Sequence, residues 1–259
     1  MIRELFLYLT TPVKPEAKTF GHLYEAIALG AREKRCQEFW KSHRSESKKL
    51  ILNVANTLKE KKSLLILGSG PLHEIPLVEL SQIFETITLV DIVHLRETKK
   101  TYQHLNNLIF IEHDITELES IIAQEKKVFN KVPTAFLENH YSFVISANIL
   151  SQLAYHLRAF LEKNASPSIS TKNLDQFSHQ ISLDHFTYLK KFNCPVLLIT
   201  DIETLFKDKD GKTIETQTPY LDINFPPPVA GWIWDVAPIP EYNQEISLQM
   251  KVAGFILNP

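Results

Sequence analysis

Residues 63–74 read SLLILGSGPLHE, and this stretch constrains the fold more than any other. Leu64 to Leu67 run without a polar interruption into Gly68-Ser69-Gly70. An unbroken apolar run closed by glycines fits a strand buried on both faces of a parallel sheet; one wet face would impose alternation. Lacking a Cβ, Gly68 and Gly70 let the backbone turn sharply and approach a ligand closely. The chain has only seven glycines, so two of them two residues apart mark a special turn. From Leu72 onward the pattern predicts a helix, whose unpaired N–H groups and positive dipole end face the same spot.

Downstream, the chain alternates. Strands are expected over Thr86–Val90, Leu108–Ile111, Tyr141–Ser146 and Pro195–Thr200, ending near Asp91, Asp114, Asn148 and Asp201. Helical patterns lie between them, at Leu95–His104, from Thr116, from Leu150 through Leu161, and at Leu174–Phe192. Such alternation predicts βαβ crossovers and a parallel sheet with helices on both faces. The last quarter departs from it. Asp208–Lys212 is a turn, Pro226-Pro227-Pro228 excludes a central strand, and Trp232–Val236 and Ile246–Ile256 read as two antiparallel strands. Ahead of residue 63, helical patterns run from His22 to about Lys41 and from a cap at Ser45 through Leu58. Residues 1–62 are thus expected to be a helical extension packed on a ligand-binding domain of residues 63–259.

Composition excludes several classes. The net charge of −2 gives no general attraction to polyanions or membranes. Residues 1–62, however, carry 13 Lys and Arg against seven acidic residues, the remainder 15 against 23. The basic segment is either a contact for an acidic substrate or nucleic acid, or a solvated helical face. Cys36 and Cys194 lie far apart without zinc spacing, which points to a reducing, cytoplasmic setting. No apolar stretch reaches the length that spans a bilayer. The ten histidines show no ligand spacing, so no metal site is expected.

Ligands of open parallel sheets bind outside the carboxyl ends of the strands. Asp91, 21 residues after Gly70, stands where a carboxylate can accept both hydroxyls of a ribose. Asp114 can accept from an adenine amino group, or can simply start the next helix as part of Asp114-Ile115-Thr116-Glu117. Ser146 and Asn148 face the rest of the ligand. The ordered segments LLILGSGPLHE, TLVDIV, FIEHDITE and YSFVISANIL resemble the class I S-adenosylmethionine-dependent methyltransferases over about Ser63 to Leu257. That resemblance implies a Rossmann-like, seven-stranded, mostly parallel sheet whose antiparallel last strand inserts beside the fifth. It implies S-adenosyl-L-methionine as cofactor and methyl transfer to a small-molecule or macromolecular acceptor. Gly68, Ser69 and Gly70 would line the methionine end, Asp91 the ribose and Asp114 the adenine, with Ile92 and Ile115 in the same site. Ser146 to Asn148 would flank the transferred methyl.

The pattern departs from the family at two positions. An acidic residue is usual two before the first glycine, where this chain has Ile66, and the third glycine falls at Leu72. Glu74 would replace part of the missing carboxylate function. These departures also fit a methyltransferase-like binding protein without catalysis. A nicotinamide-dependent oxidoreductase is the remaining alternative, disfavoured because His73 stands where tight helix–strand packing wants a small residue. His43, Asn148 and Tyr242 are catalytic candidates by position only. Tyr220, Phe225, Trp232 and Trp234 form either a substrate wall or lid, or core. Arg32, Arg35, Trp40, His43 and Arg44 either line a substrate pocket or form a helix surface with one anchoring tryptophan. Asn224-Phe225-Pro226-Pro227, after the fifth strand, reads as a loop.

Overall fold

Leu64 to Leu67 form β1 (Ser63–Leu67), and all four side chains are fully buried. The computed structural model describes residues 2–220 and 222–258; Met1, Leu221 and Pro259 lie outside it. Around β1 the parallel strands β2 (Thr86–Asp91), β3 (Leu108–Glu112), β4 (Phe143–Ala147) and β5 (Val196–Lys207) assemble. β8 (Ser247–Leu257) inserts antiparallel beside β5, and β7 (Ala230–Ala237) pairs antiparallel with β8 and so runs in the direction of the parallel strands. The resulting order, β3-β2-β1-β4-β5-β8-β7, is that of the class I methyltransferase fold. An eighth strand, β6 (Thr213–Gln217), was not expected; it folds back on the outer half of β5 through the turn at Asp208.

Each face of the sheet is covered, which is why the central strands show no alternation. On one face Leu64 and Ile66 pack with Leu50, Ile51 and Ala55 of α4 (Gln37–Thr57) and Leu80 of α5 (Leu77–Ile83). On the other, Leu65 and Leu67 pack in a core that holds Tyr188 and Leu189 of α9 (Thr171–Leu189). The short α6 (Arg96–Thr101), α7 (Glu119–Glu125) and α8 (Tyr155–Asn164) complete the crossovers.

Three boundaries differ from the sequence-based expectation, and each matters for the site. The helix starting at Ser45 instead begins at Gln37, after α3 (His22–Arg35) ends at Cys36. Trp40, His43, Ser47, Leu50 and Ile51 then share the buried side of a single helix. No helix starts at Leu72: residues 71–76 are a loop and α5 begins only at Leu77. Pro76 sets that start, since the residue before a proline avoids helical backbone and proline itself suits a helix entry. Finally, β5 and β8 outrun the parallel sheet, pairing as far as Lys207–Ser247 and raising a wall above its carboxyl edge. α1 (Ile2–Thr10), α2 (Pro15–Thr19) and α3 flank that same edge: Leu23 and Ile27 bury Val93, just beyond β2.

Candidate functional site

At the end of β1 the chain turns through Gly68 (φ +74°) and Gly70 (φ +47°). A Cβ on Gly68 would lie 2.1 Å from Ile149 Cγ2, so the turn packs directly against the end of β4. Leu72, where the family's third glycine falls, also has left-handed backbone (φ 66°). A leucine bears this at a cost of about 1–2 kcal/mol, so the loop keeps its shape without the glycine. The loop then carries His73 and Glu74 over the strand ends instead of entering a helix.

Asp91 ties the loop to β2. Its carboxylate accepts from the Gly70 N–H at 2.7 Å and the Val93 N–H at 3.3 Å. Above it opens a cavity of about 950 Å³, located where the strand order switches between β1 and β4. Gly68, Ser69, Gly70, Asp91, Ile92, Asp114, Ile115 and Asn148 all line it. Ser69 is buried, its hydroxyl paired with His94 Nε2 at 2.8 Å.

Two expected contacts are revised by the geometry. Ser146 is fully buried and does not line the cavity; its hydroxyl meets His185 Nε2 at 3.1 Å on the other side of the sheet. In a strand, neighbouring side chains point to opposite faces, so Ala147 and Ser146 cannot both be presented to one side. Asp114 keeps its place on the wall, but its carboxylate is taken up by the turn ahead of α7. It accepts from the Thr116 N–H (2.8 Å) and hydroxyl (2.6 Å) and from the N–H groups of Leu118 and Glu119 (both 2.9 Å). Those four bonds match the acceptor capacity of a carboxylate, and they close the turn of residues 115–118 that leads into α7, which begins only at Glu119 behind Leu118.

Glu74 is held from two sides. Asn148 (φ 52°) donates through Nδ2 to its Oε2, and His43 Nε2 lies 3.0 Å from its Oε1. Trp232 Nε1 meets His43 Nδ1 at 2.9 Å. An indole N–H can only donate, so Nδ1 accepts, and the imidazole proton resides on Nε2 and points to Glu74. His43 is fully buried and stacks on Trp234 with centroids 4.0 Å apart. Burial pushes the Glu74 carboxyl up, but the bonds from His43 and Asn148 outweigh it and hold it below the usual value. Ile66, where the family has its acid, is fully buried in the core. The loop thus supplies a carboxylate that the strand does not.

The far side of the cavity is formed by the raised wall. Thr204 of β5, Met250 of β8 and Trp234 of β7 lie in one register row, and Trp40 of α4 meets Trp234 edge-on at 5.4 Å. At its foot sits Asp201, 6% exposed. Burial raises its carboxyl above the usual range, partly offset by the Ser151 and Thr200 hydroxyls. Its strand-end position was legible in the sequence, as for Asp91, yet nothing there marked it as facing a cavity. Of the aromatic group, Trp234 belongs to the wall, while Trp232 supports His43. Phe225, stacked on Phe255 at 4.7 Å, and Tyr220, bonded to Thr200 at 3.2 Å, are core and not lid. Tyr242 stands at the rim, half exposed. Three arginines of the extension are committed to ion pairs: Arg44 to Glu33 at 2.7 Å, and Arg32 and Arg35 to Glu241 at 3.3 and 2.7 Å. Among the described residues no group of His, Cys, Asp or Glu is gathered in a way that could hold a metal ion, and no helix is long and apolar enough to cross a membrane.

No protein-family model matches the chain, and no curated protein does. Among solved structures it is similar to the N-methyltransferase NodS from Bradyrhizobium japonicum WM9 in complex with S-adenosyl-L-homocysteine. That likeness has 12% identity over 85% of this chain and 88% of that one, with a TM-score of 0.45. It is also similar to 1,6-didemethyltoxoflavin-N1-methyltransferase from Burkholderia thailandensis (10% identity, 87% and 88% covered, TM-score 0.37). A SAM-dependent methyltransferase from Leishmania major gives 12% identity, 96% and 81% covered, and a TM-score of 0.38. The fold assignment rests on the strand order itself; in that fold the chain is similar to the S-adenosylmethionine-dependent methyltransferases.

Proposed function

We propose that the chain binds S-adenosyl-L-methionine across the ends of β1, β2 and β4 and transfers its methyl group to an acceptor held against the β5–β8–β7 wall. The observation that carries this reading is the glycine turn of β1, tied by the Asp91 carboxylate to β2 and opening on the one-sided cavity at the switch point. The residues fit the group. The Asp91 oxygens retain acceptor capacity beyond their two backbone bonds, which suits ribose hydroxyls. Glu74, ionised and aimed by His43 and Asn148, suits an ammonium. Ile92 and Ile115 offer apolar contacts to a purine.

When bound, the cofactor supplies a methyl group on a cationic sulfur. The chain's contribution is alignment and the exclusion of water, and the cavity walls of α3, α4 and the β5–β8–β7 sheet provide both. The departures at Ile66 and Leu72 favour a non-catalytic reading less than they do in the bare sequence, because Glu74 and the left-handed Leu72 backbone compensate for both. The nucleic-acid variant has little support, since Arg32, Arg35 and Arg44 are already ion-paired.

Calorimetric titration with S-adenosylhomocysteine, with NAD as comparison, tests the reading. Micromolar binding of the first alone is expected, and Asp91→Ala should weaken it at least tenfold while the far-UV spectrum is kept. Unchanged affinity in that variant would remove Asp91 from the site. Folded protein that binds neither ligand would overturn the cofactor assignment.

A further inference from the structure

The acceptor side of the cavity carries information about what it takes. β5 bulges between Asp201 and Glu203, pairing Asp201 with Val252 but Glu203 with Lys251. Asp201 shares its face with Leu197 and Ile199 by simple alternation, and the bulge that follows it shifts the phase so that Thr204 faces the cavity as well. Glu203 turns away to pair with Lys251 at 2.6 Å. Asp201 is a carboxylate at the foot of an apolar wall of Trp40, Trp234, Leu248 and Met250, beside Ser151 and Asn148.

Charge points the same way. Among the described residues eight carboxylates line the cavity against two guanidiniums, Arg32 and Arg44, and both of these are ion-paired to carboxylates of the same lining. No lysine or free guanidinium is left for an anionic ligand among those lining residues. Asp201 itself is met by hydroxyls, Ser151 and Thr200, and makes no ion pair with a Lys, Arg or His of the described chain. A carboxylate so buried and so weakly compensated is costly in the charged state, and a ligand N–H is the group that relieves it. A second feature of the wall is independent of charge. The Trp234 indole N–H is buried, in a residue 7% exposed, and has no acceptor among the described residues.

We infer that the acceptor is a small molecule with an apolar or aromatic body and an amine nitrogen, its body against Trp40, Trp234 and Met250 and its N–H on the Asp201 carboxylate. This rests on the methyltransferase reading for calling the molecule an acceptor. The binding site itself does not depend on that reading. The volume, about 950 Å³, lies at the upper end of the range of about 300–1,000 Å³ seen for single-ligand pockets, in keeping with two occupants.

The probes are 2-phenylethylamine and its near-isostere 3-phenylpropionate, titrated into the full-length chain with and without saturating S-adenosylhomocysteine. The amine is expected to bind at least tenfold more tightly than the carboxylate, and Asp201→Asn to erase that preference. Equal or tighter binding of the carboxylate, or an amine preference intact in Asp201→Asn, overturns the inference. So does failure of the amine to bind at all. Should Asp201→Asn not fold, the comparison of the two probes on the native chain still decides. The nucleoside titration fails or succeeds separately, so a wrong cofactor and a wrong acceptor class give different results.

Discussion

His185 shows how a single buried residue contributes to the pH response of the chain. It is 1% exposed, bonded through Nε2 to Ser146, and burial pushes its pKa from 6.5 down to about 3. The unfolded chain therefore takes up a proton near the ordinary value, while the folded chain resists until far lower pH. Stability associated with neutral His185 is complete above about pH 6.5 and is lost as pH falls toward 3. The melting temperature should drop progressively between pH 7 and pH 4, and His185→Gln should flatten that slope whatever it does to the neutral-pH value. An equal slope in the variant would assign the acid sensitivity to other groups. His43 is the contrasting case, a buried imidazole whose tautomer is fixed by Trp232 and whose proton is used to aim Glu74.

Among the elements, the loop between β1 and α5 combines a glycine turn with the carboxylate of Glu74. Its geometry depends on Gly68, whose φ of +74° is unfavourable for other residues and whose missing side chain leaves room for Ile149. Gly68→Ala must both strain the backbone and displace Ile149, which lies beside the Asn148 that holds Glu74. A loss of about 2 kcal/mol or more is expected, from about 1–3 kcal/mol of backbone strain plus the clash. Urea unfolding measures it, and a change below about 0.5 kcal/mol would mean that the end of β4 yields easily. The bulge in β5 is the other local device: it follows Asp201 and brings Thr204 onto the same cavity face.

For the molecule as a whole, the cavity is closed by segments far apart in sequence. Glu241, in the loop from β7 to β8, accepts from Arg35 Nε at 2.8 Å and Nη2 at 2.7 Å, and from Arg32 Nε at 3.3 Å. Hydrogen bonding from Arg35 holds its carboxyl below the usual value. The bridge joins α3 to the sheet across the cavity mouth. Exposed ion pairs add little stability, about 0–1 kcal/mol, so Glu241→Gln should leave the melting temperature nearly unchanged. Amide exchange over residues 238–246 should nevertheless quicken, because this tie anchors the loop to the helix. Exchange equal to that of the parent would show the loop held by its own contacts.

The sequence by itself determined the framework. The uninterrupted run at Leu64–Leu67, the strand-end acids and the alternating final strand specify a parallel sheet with an antiparallel end, because burial on both faces and period-two exposure are local patterns. Asp91 was legible for the same reason: its distance from Gly70 is a property of one βαβ unit. The tertiary structure alone decided the fate of Ser146, one residue out of phase with the cavity, and of Asp114, whose four bonds come from the turn ahead of α7. It alone brought His43, 31 residues ahead of Glu74 in the chain, under that carboxylate. It alone brought Thr204 beside Asp201 on the cavity face, through a bulge. Local patterns record which face of an element is dry; only the packing of α4 and the outgrown β5–β8 pair determines which dry face meets a ligand.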